Sequence, residues 1–305
     1  MLTVPFATAL AGAILSTSFL SGIFGTAGGM ILMGILLLMM PFSAAMVLHG
    51  ATQLTSNVWR AWLWRSHIQW RITGFFAMGA VNAALGFALI AAVPAKSVAL
   101  IMLGLMPFVG LLLPRNVTPD ITRPGYGFGC GILCTLLQLM AGVSGPVFDV
   151  YFIRSNLDRK QMVATKATIQ SLGHFLKVAY FGQILASGTD AVAPTTIALA
   201  IALALIGTQL SRYVLDAISD AQFRIWTRRL ITVIAAIYLI QGLFLLVLDL
   251  QHTAEAAAAA SNSAGSNSLA CLSRSSPQMM PPGRIRRRAS RISSRTSSTT
   301  CEPST

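Results

Sequence analysis

Ten apolar segments follow one another along the first 250 residues, at about 2–24, 29–40, 44–64, 72–93, 96–114, 126–141, 145–153, 161–186, 192–215 and 228–250. Most reach or approach the ~20 residues a helix needs to cross hydrocarbon. Two of them, 29–40 and 145–153, are short, and each follows a glycine-rich break. The breaks are Gly22-Ile-Phe-Gly-Thr-Ala-Gly-Gly29 and Ala141-Gly-Val-Ser-Gly-Pro146. Such a chain reads as an all-α polytopic membrane protein. Composition agrees: 54% of the residues are hydrophobic and 10% charged, where a soluble domain carries about 25% charged residues. An ordinary cytosolic enzyme, a secreted disulfide module and a disordered protein are excluded on that count. The apolar stretch Leu2–Leu20 has no Lys or Arg before it, so it is expected to stay in the membrane rather than to be cleaved as a signal.

The two breaks point to an internal duplication. Gly25-Thr-Ala-Gly28 aligns with Gly142-Val-Ser-Gly145, Ala51-Thr52-Gln53 with Ala164-Thr165-Lys166, and Asn57 with Gln170. Each half, about 1–115 and 124–250, then has five segments in one order: long, break, short, and three long. Basic residues swap loops between the halves. Arg60, Arg65 and Arg71 surround one first-half loop whose second-half counterpart has none, whereas the uncharged Pro41–Ser43 loop corresponds to one with Arg154, Arg159 and Lys160. Lys96 stands alone where the second half has Arg212, Arg224, Arg228 and Arg229. By the positive-inside bias the halves are inverted repeats. Twelve basic residues fall on the cytoplasmic side and Lys96 on the other, provided each broken pair makes an even number of crossings. An eight-helix count with parallel repeats splits the charge roughly evenly and is the alternative; the number of full crossings stays between seven and ten.

Trp59, Trp62, Trp64 and Trp70 flank the Arg65–Arg71 loop, as expected of interfacial anchors; His49 and His67 are read as interfacial too. Cys130 and Cys134 lie four apart in an apolar segment and read as small buried hydrophobes. Residues 251–305 are rich in Ala, Ser and Arg and are expected to be a disordered tail. Its Arg284–Arg288 cluster could meet acidic lipid.

Backbone inside a bilayer must be hydrogen-bonded or face a water-filled cavity. Paired interruptions at matching places are therefore the sequence pointer to a carrier's binding site. A short helix restarts after each break, at about Met30 and Val147, and its N-terminus presents bare N–H groups and about half a positive charge. Glycine lets a ligand approach that backbone closely. Two such termini suit a small oxyanion. The candidate substrate contacts are Gly25, Thr26, Gly28, Gly29, Gly142, Ser144 and Gly145 at the breaks. On the facing helices they are Thr52, Gln53, Asn57, Lys166, Gln170 and Lys177. Ionisable groups are costly in the membrane; Asp149 and His174 are the candidates for carrying a coupled proton. The competing reading, from another class, is a channel or assembly subunit whose glycines serve only helix packing.

There is no Gly-x-Ser-x-Gly elbow, no phosphate loop and no His-Glu-x-x-His, so no enzyme is expected. No metal or cofactor is expected either. The partners expected are the lipid bilayer and a small anion, with a proton and a second copy of the chain (a homo-oligomer) as further candidates. No nucleic acid is expected.

Phe19-Leu-Ser-Gly-Ile-Phe-Gly-Thr-Ala-Gly-Gly29, Pro41 and Ala51-Thr52, repeated as Gly142-Val-Ser-Gly-Pro146 and Ala164-Thr165-Lys166, resemble the TauE/SafE sulfite exporter family, also called toluene-sulfonate uptake permeases. The resemblance covers about residues 3–250. It implies an inner-membrane, multi-pass carrier of small sulfur-containing anions such as sulfite or organosulfonates, with seven or eight spans. The second break departs from the double-glycine form by its Gly145-Pro146.

Overall fold

The computed structural model describes residues 4–24, 26–112, 118–152, 155–186, 192–215 and 220–274. Gly25 and Arg154, used in the sequence reading, lie outside them, as does the tail from 275 on with Arg284–Arg288. Among the described residues the secondary structure is helical throughout. The helices are α1 (Val4–Phe24), α2 (Thr26–Met39), α3 (Phe42–Leu63), α4 (Trp70–Ile90), α5 (Lys96–Leu112), α6 (Pro124–Ala141), α7 (Gly145–Phe152), α8 (Arg159–Ala186), α9 (Pro194–Leu215) and α10 (Asp220–Arg274).

The chain divides into two units, Met1–His252 and Thr253–Thr305. Within the second unit the described residues are helical as far as Arg274, where the sequence reading expected disorder. The run Ala256–Ala260 supplies the reason, alanine being the strongest helix former.

The first unit is apolar on its outside and buries polar side chains within an otherwise apolar core. Leu85, Leu89, Ile90, Ile206, Phe244 and Val247 are exposed, while Gln53, Asn57, Gln138, His174, Lys177 and Thr208 are buried. That is the reverse of a soluble protein and suits lipid as the surrounding solvent. Five helices are long and apolar enough to cross a membrane: Val4–Ile23, Trp70–Ile90, Pro124–Ala141, Pro194–Ser211 and Arg229–Glu255. The long helices α3 and α8 fall short of that apolarity because they carry the His, Gln, Asn and Lys residues of the interior. They pack on each other antiparallel at the centre of the bundle. Phe42 meets Phe181 edge-on, His49 meets His174, and Lys160 lies over the Trp64 ring.

Around this central pair, α1 packs on α9 and α4 on α6. Both contacts are backbone-close. A Cβ on Gly131 would strike the Phe76 carbonyl, one on Gly79 the Phe128 carbonyl, and one on Gly207 the Leu15 carbonyl. Small residues serve the same purpose wherever membrane helices touch.

The two broken segments are helical hairpins. In the first, Gly28 of α2 lies against the Thr17 carbonyl and Ser21 amide of α1. In the second, the Ile121 N–H ahead of α6 donates to the Tyr151 carbonyl at the end of α7 (3.1 Å), so the chain enters and returns side by side. Gly142 makes the turn: it caps α6 in the left-handed region, φ 83°, with its N–H on the Gln138 carbonyl (2.9 Å). Pro146 follows in the first turn of α7, where a missing N–H costs nothing. The first break is tighter than the sequence suggests. Helix α1 runs through Gly22 to Phe24 and α2 begins at Thr26, so Gly28 and Gly29 are helical. The short helices thus start at Thr26 and Gly145 rather than near Met30 and Val147. Tertiary packing overrides glycine's helix cost of about 1 kcal/mol because only glycine permits the approach to α1.

Candidate functional site

The tips of the two hairpins meet, the Thr26 side chain lying against Gly145. Beside this junction is a cavity of about 740 Å³. Its deep end is lined by Thr26 and Gly29 of the first hairpin and by Gln138, Ser144 and Gly145 of the second. Its walls are the facing sides of α3 and α8, with His49, Gln53 and Asn57 on one and Lys166, Gln170 and His174 on the other. It widens toward Trp59, Leu63 and Trp64, the end of the bundle where α3 finishes and α8 begins. That end is held together by the Gln69 N–H donating to Thr165 Oγ1 (3.0 Å) and by the Trp59 Nε1–H donating to Gln209 Oε1 (3.2 Å). The opposite end is closed: Tyr180 packs on Phe87 and Phe181 and donates its hydroxyl to the Ala92 carbonyl (2.9 Å).

Three nitrogens on side chains that line the cavity lack a protein partner among the described residues, Gln53 Nε2, Gln138 Nε2 and His174 Nδ1, and none of these atoms is itself exposed to the cavity. Each side chain is at least nine-tenths buried, at 5%, 4% and 6% exposure. A buried polar group without a partner costs about 1–3 kcal/mol, so a side-chain rotation that brought one of them onto a ligand in the cavity would be favourable. The Gln138 amide is oriented by its other end, since Oε1 accepts from the Ser144 hydroxyl (2.9 Å). These groups stand beside the N-termini of α2 and α7, whose dipoles add positive potential.

The charged residues divide into three kinds. Lys166 donates to Asp149 Oδ1, so this lysine brings no net charge. Arg60 binds neutral groups, Asn57 Oδ1 (2.9 Å) and the Ser56 carbonyl (3.3 Å), and so lends its full charge to the wider end. Lys177 is wholly buried and lies behind the cavity wall. Breaking the Asp149–Lys166 pair from either side should shift anion affinity in opposite directions. Asp149→Asn frees a cation and should tighten binding about three- to tenfold, while Lys166→Gln leaves a carboxylate and should weaken it by as much, both effects shrinking as salt rises. Titration calorimetry with a small oxyanion checks this, and a shift of the same sign in both variants would contradict it.

Of the residues singled out from sequence, Thr26, Gly29, Gln53, Asn57, Ser144, Gly145, Asp149, Lys166, Gln170 and His174 line the cavity. Four others stand outside the lining. Gly28 packs on α1, Gly142 packs on Met33, and Thr52 turns its hydroxyl to the His49 carbonyl (2.8 Å); Lys177 is the fourth. Gly25 lies outside the described residues. His49, expected at the interface, is instead fully buried. The helix holding it begins only at Phe42 and is walled in by α2 and α8, which places its second turn inside the bundle. Sequence reasoning missed Gln138; its signal was a lone amide in the otherwise apolar 126–141 segment.

Cys130 and Cys134 are buried and free, their sulfurs 3.8 Å apart. Among the described residues no cluster of His, Cys, Asp or Glu is placed to hold a metal.

Among known families, the model described as Sulfite exporter TauE/SafE matches residues 9–239. No curated protein and no solved structure matches the chain.

Proposed function

The chain belongs to the sulfite exporter TauE/SafE family, and from that premise we propose that it is a secondary carrier of small sulfur-containing oxyanions, of the sulfite or sulfonate class, working by alternating access. Family and apolar helices together make it a multi-pass membrane protein of a transport family; its place in this proposal is the cell inner membrane. The observation that carries the reading is the meeting of the two hairpin tips beside a cavity lined by Gln53, Gln138, Ser144, Lys166 and His174. Such a site offers an oxyanion several N–H groups without demanding a paired cation. Thr26, Gly29, Ser144 and Gly145 bound the anion at the hairpin tips; Asn57, Gln170 and Lys166 set polarity along the walls. Gly28, Gly142, Thr52 and Lys177 hold that geometry from behind. Asp149 and His174 are within reach of the cavity for a coupled proton.

The halves are proposed to be inverted repeats. The packing supports this: α1 on α9 and α4 on α6 become each other when the halves are exchanged, and α3 on α8 becomes itself. The wide end of the cavity lies among Arg65, Arg71 and Lys160, which the positive-inside bias assigns to the cytoplasm. The structure on this reading faces inward.

Flux in proteoliposomes tests the function. With pH and voltage gradients of either sign imposed, labelled sulfite or an organosulfonate should cross at rates well above those of empty liposomes. If none of these anions moves under any gradient, the carrier reading fails.

A further inference from the structure

Lys177 is fully buried, which is costly for an ammonium group unless every proton on it is used. Its Nζ lies 2.7 Å from His49 Nδ1 and 2.9 Å from the Gly142 carbonyl. On the other side of the imidazole, His49 Nε2 lies 2.9 Å from the Gly29 carbonyl. A carbonyl only accepts, so Nε2 carries the proton and Nδ1 offers its lone pair to Lys177. A continuous chain results: the Gly29 carbonyl of one hairpin, His49, Lys177, and the Gly142 carbonyl of the other. It joins the two hairpins directly behind the cavity. His49 itself lines the cavity, while Lys177 does not.

We propose that the His49–Lys177 pair is a proton-binding site whose occupancy is coupled to that of the anion cavity. This rests on the carrier reading above. A proton arriving from water in the cavity adds to His49 Nδ1, the one lone pair available on the ring. The lysine N–H then loses its acceptor, and two cations face each other across the former hydrogen bond. The link between the hairpins opens. An anion seated beside His49 offsets the added charge, so proton and anion favour each other's binding, and by linkage the effect is reciprocal.

The surrounding charges leave this balance to the pair. Helices α1 and α2 carry no ionisable side chain among their described residues. From α9 the neighbouring lining groups are the neutral Thr208 and Gln209. From α8, His174 stands with its ring centroid 5.6 Å from that of His49. Arg60, on α3 itself, and the mutually paired Asp149 and Lys166 lie toward the wide end.

The test is proton uptake on anion binding. Full-length protein in nanodiscs is titrated with methanesulfonate, a permanent monoanion that takes up no proton of its own, by calorimetry in buffers of different ionisation enthalpy. Wild type should take up a proton with the anion, a fraction of one per site that grows as the pH falls. His49→Gln, whose amide can replace both hydrogen bonds, and Lys177→Met should take up no proton when methanesulfonate binds, and by linkage their affinity for it should lose the pH dependence of wild type. Melting temperatures verify that both variants are folded. Uptake persisting in both variants, or binding by wild type without uptake, would overturn the proposal. A folded wild type that binds neither methanesulfonate nor sulfite overturns the carrier reading instead, and this proposal falls with it.

Discussion

Replacing Gln138 by Met should weaken sulfite or sulfonate binding about 10- to 150-fold, and Gln53→Met should do the same. Each change keeps the length of the side chain and removes one buried N–H donor. A hydrogen bond to a charged partner is worth about 1.5–3 kcal/mol, which converts to that range of affinity. Gln138 also accepts from Ser144, so Ser144→Ala is the control. If the loss arose only from breaking the Ser144–Gln138 hydrogen bond, Ser144→Ala would reproduce it in full; the anion reading expects a smaller change. Calorimetry on purified protein measures the affinities, and size-exclusion chromatography establishes that the variants fold. Folded Gln variants with wild-type affinity would remove the main support for an anion in this cavity.

Gly142→Val should cost about 2–5 kcal/mol of stability, enough to lower the yield of folded protein sharply. Two effects add. The left-handed region costs an L-residue about 1–2 kcal/mol, and a β-branched one is a clear outlier there. The new side chain also enters space held by the Met33 thioether, and overpacking costs about 1–3 kcal/mol. Gly142→Asn should be milder, since Asn tolerates this conformation and Met33 is flexible. Thermal unfolding in detergent should rank the proteins as wild type, then Asn, then Val. Equal stability of Asn and Val would mean that the turn at the second hairpin tip is not held in this conformation.

The sequence made some of this legible and hid the rest for physical reasons. Glycine clusters marked both hairpin tips because such tips need left-handed or closely approached backbone. They did not mark where each helix resumes: Gly28 and Gly29 are helical because α1 lies against them, a long-range fact. Gln53, Asn57 and Lys166 could be found because ionisable and amide groups in apolar runs need a reason to be there. Gln138 met the same criterion but stood alone, without a neighbour to draw attention to it. His49 was misread because distance along a segment is a poor guide to depth when that segment is walled in on several sides.

The glycine-mediated contacts of α1 with α9 and of α4 with α6 bear on how such a machine can move. Each pair takes one member from each half of the chain and presses main chain against main chain, leaving no slack for sliding. The halves of the sequence are therefore interlocked like clasped hands and cannot swing as separate bodies. On the carrier reading, the rearrangement that exposes the cavity to the far side falls to the two hairpins, which meet through Thr26 on Gly145 and Met33 on Gly142.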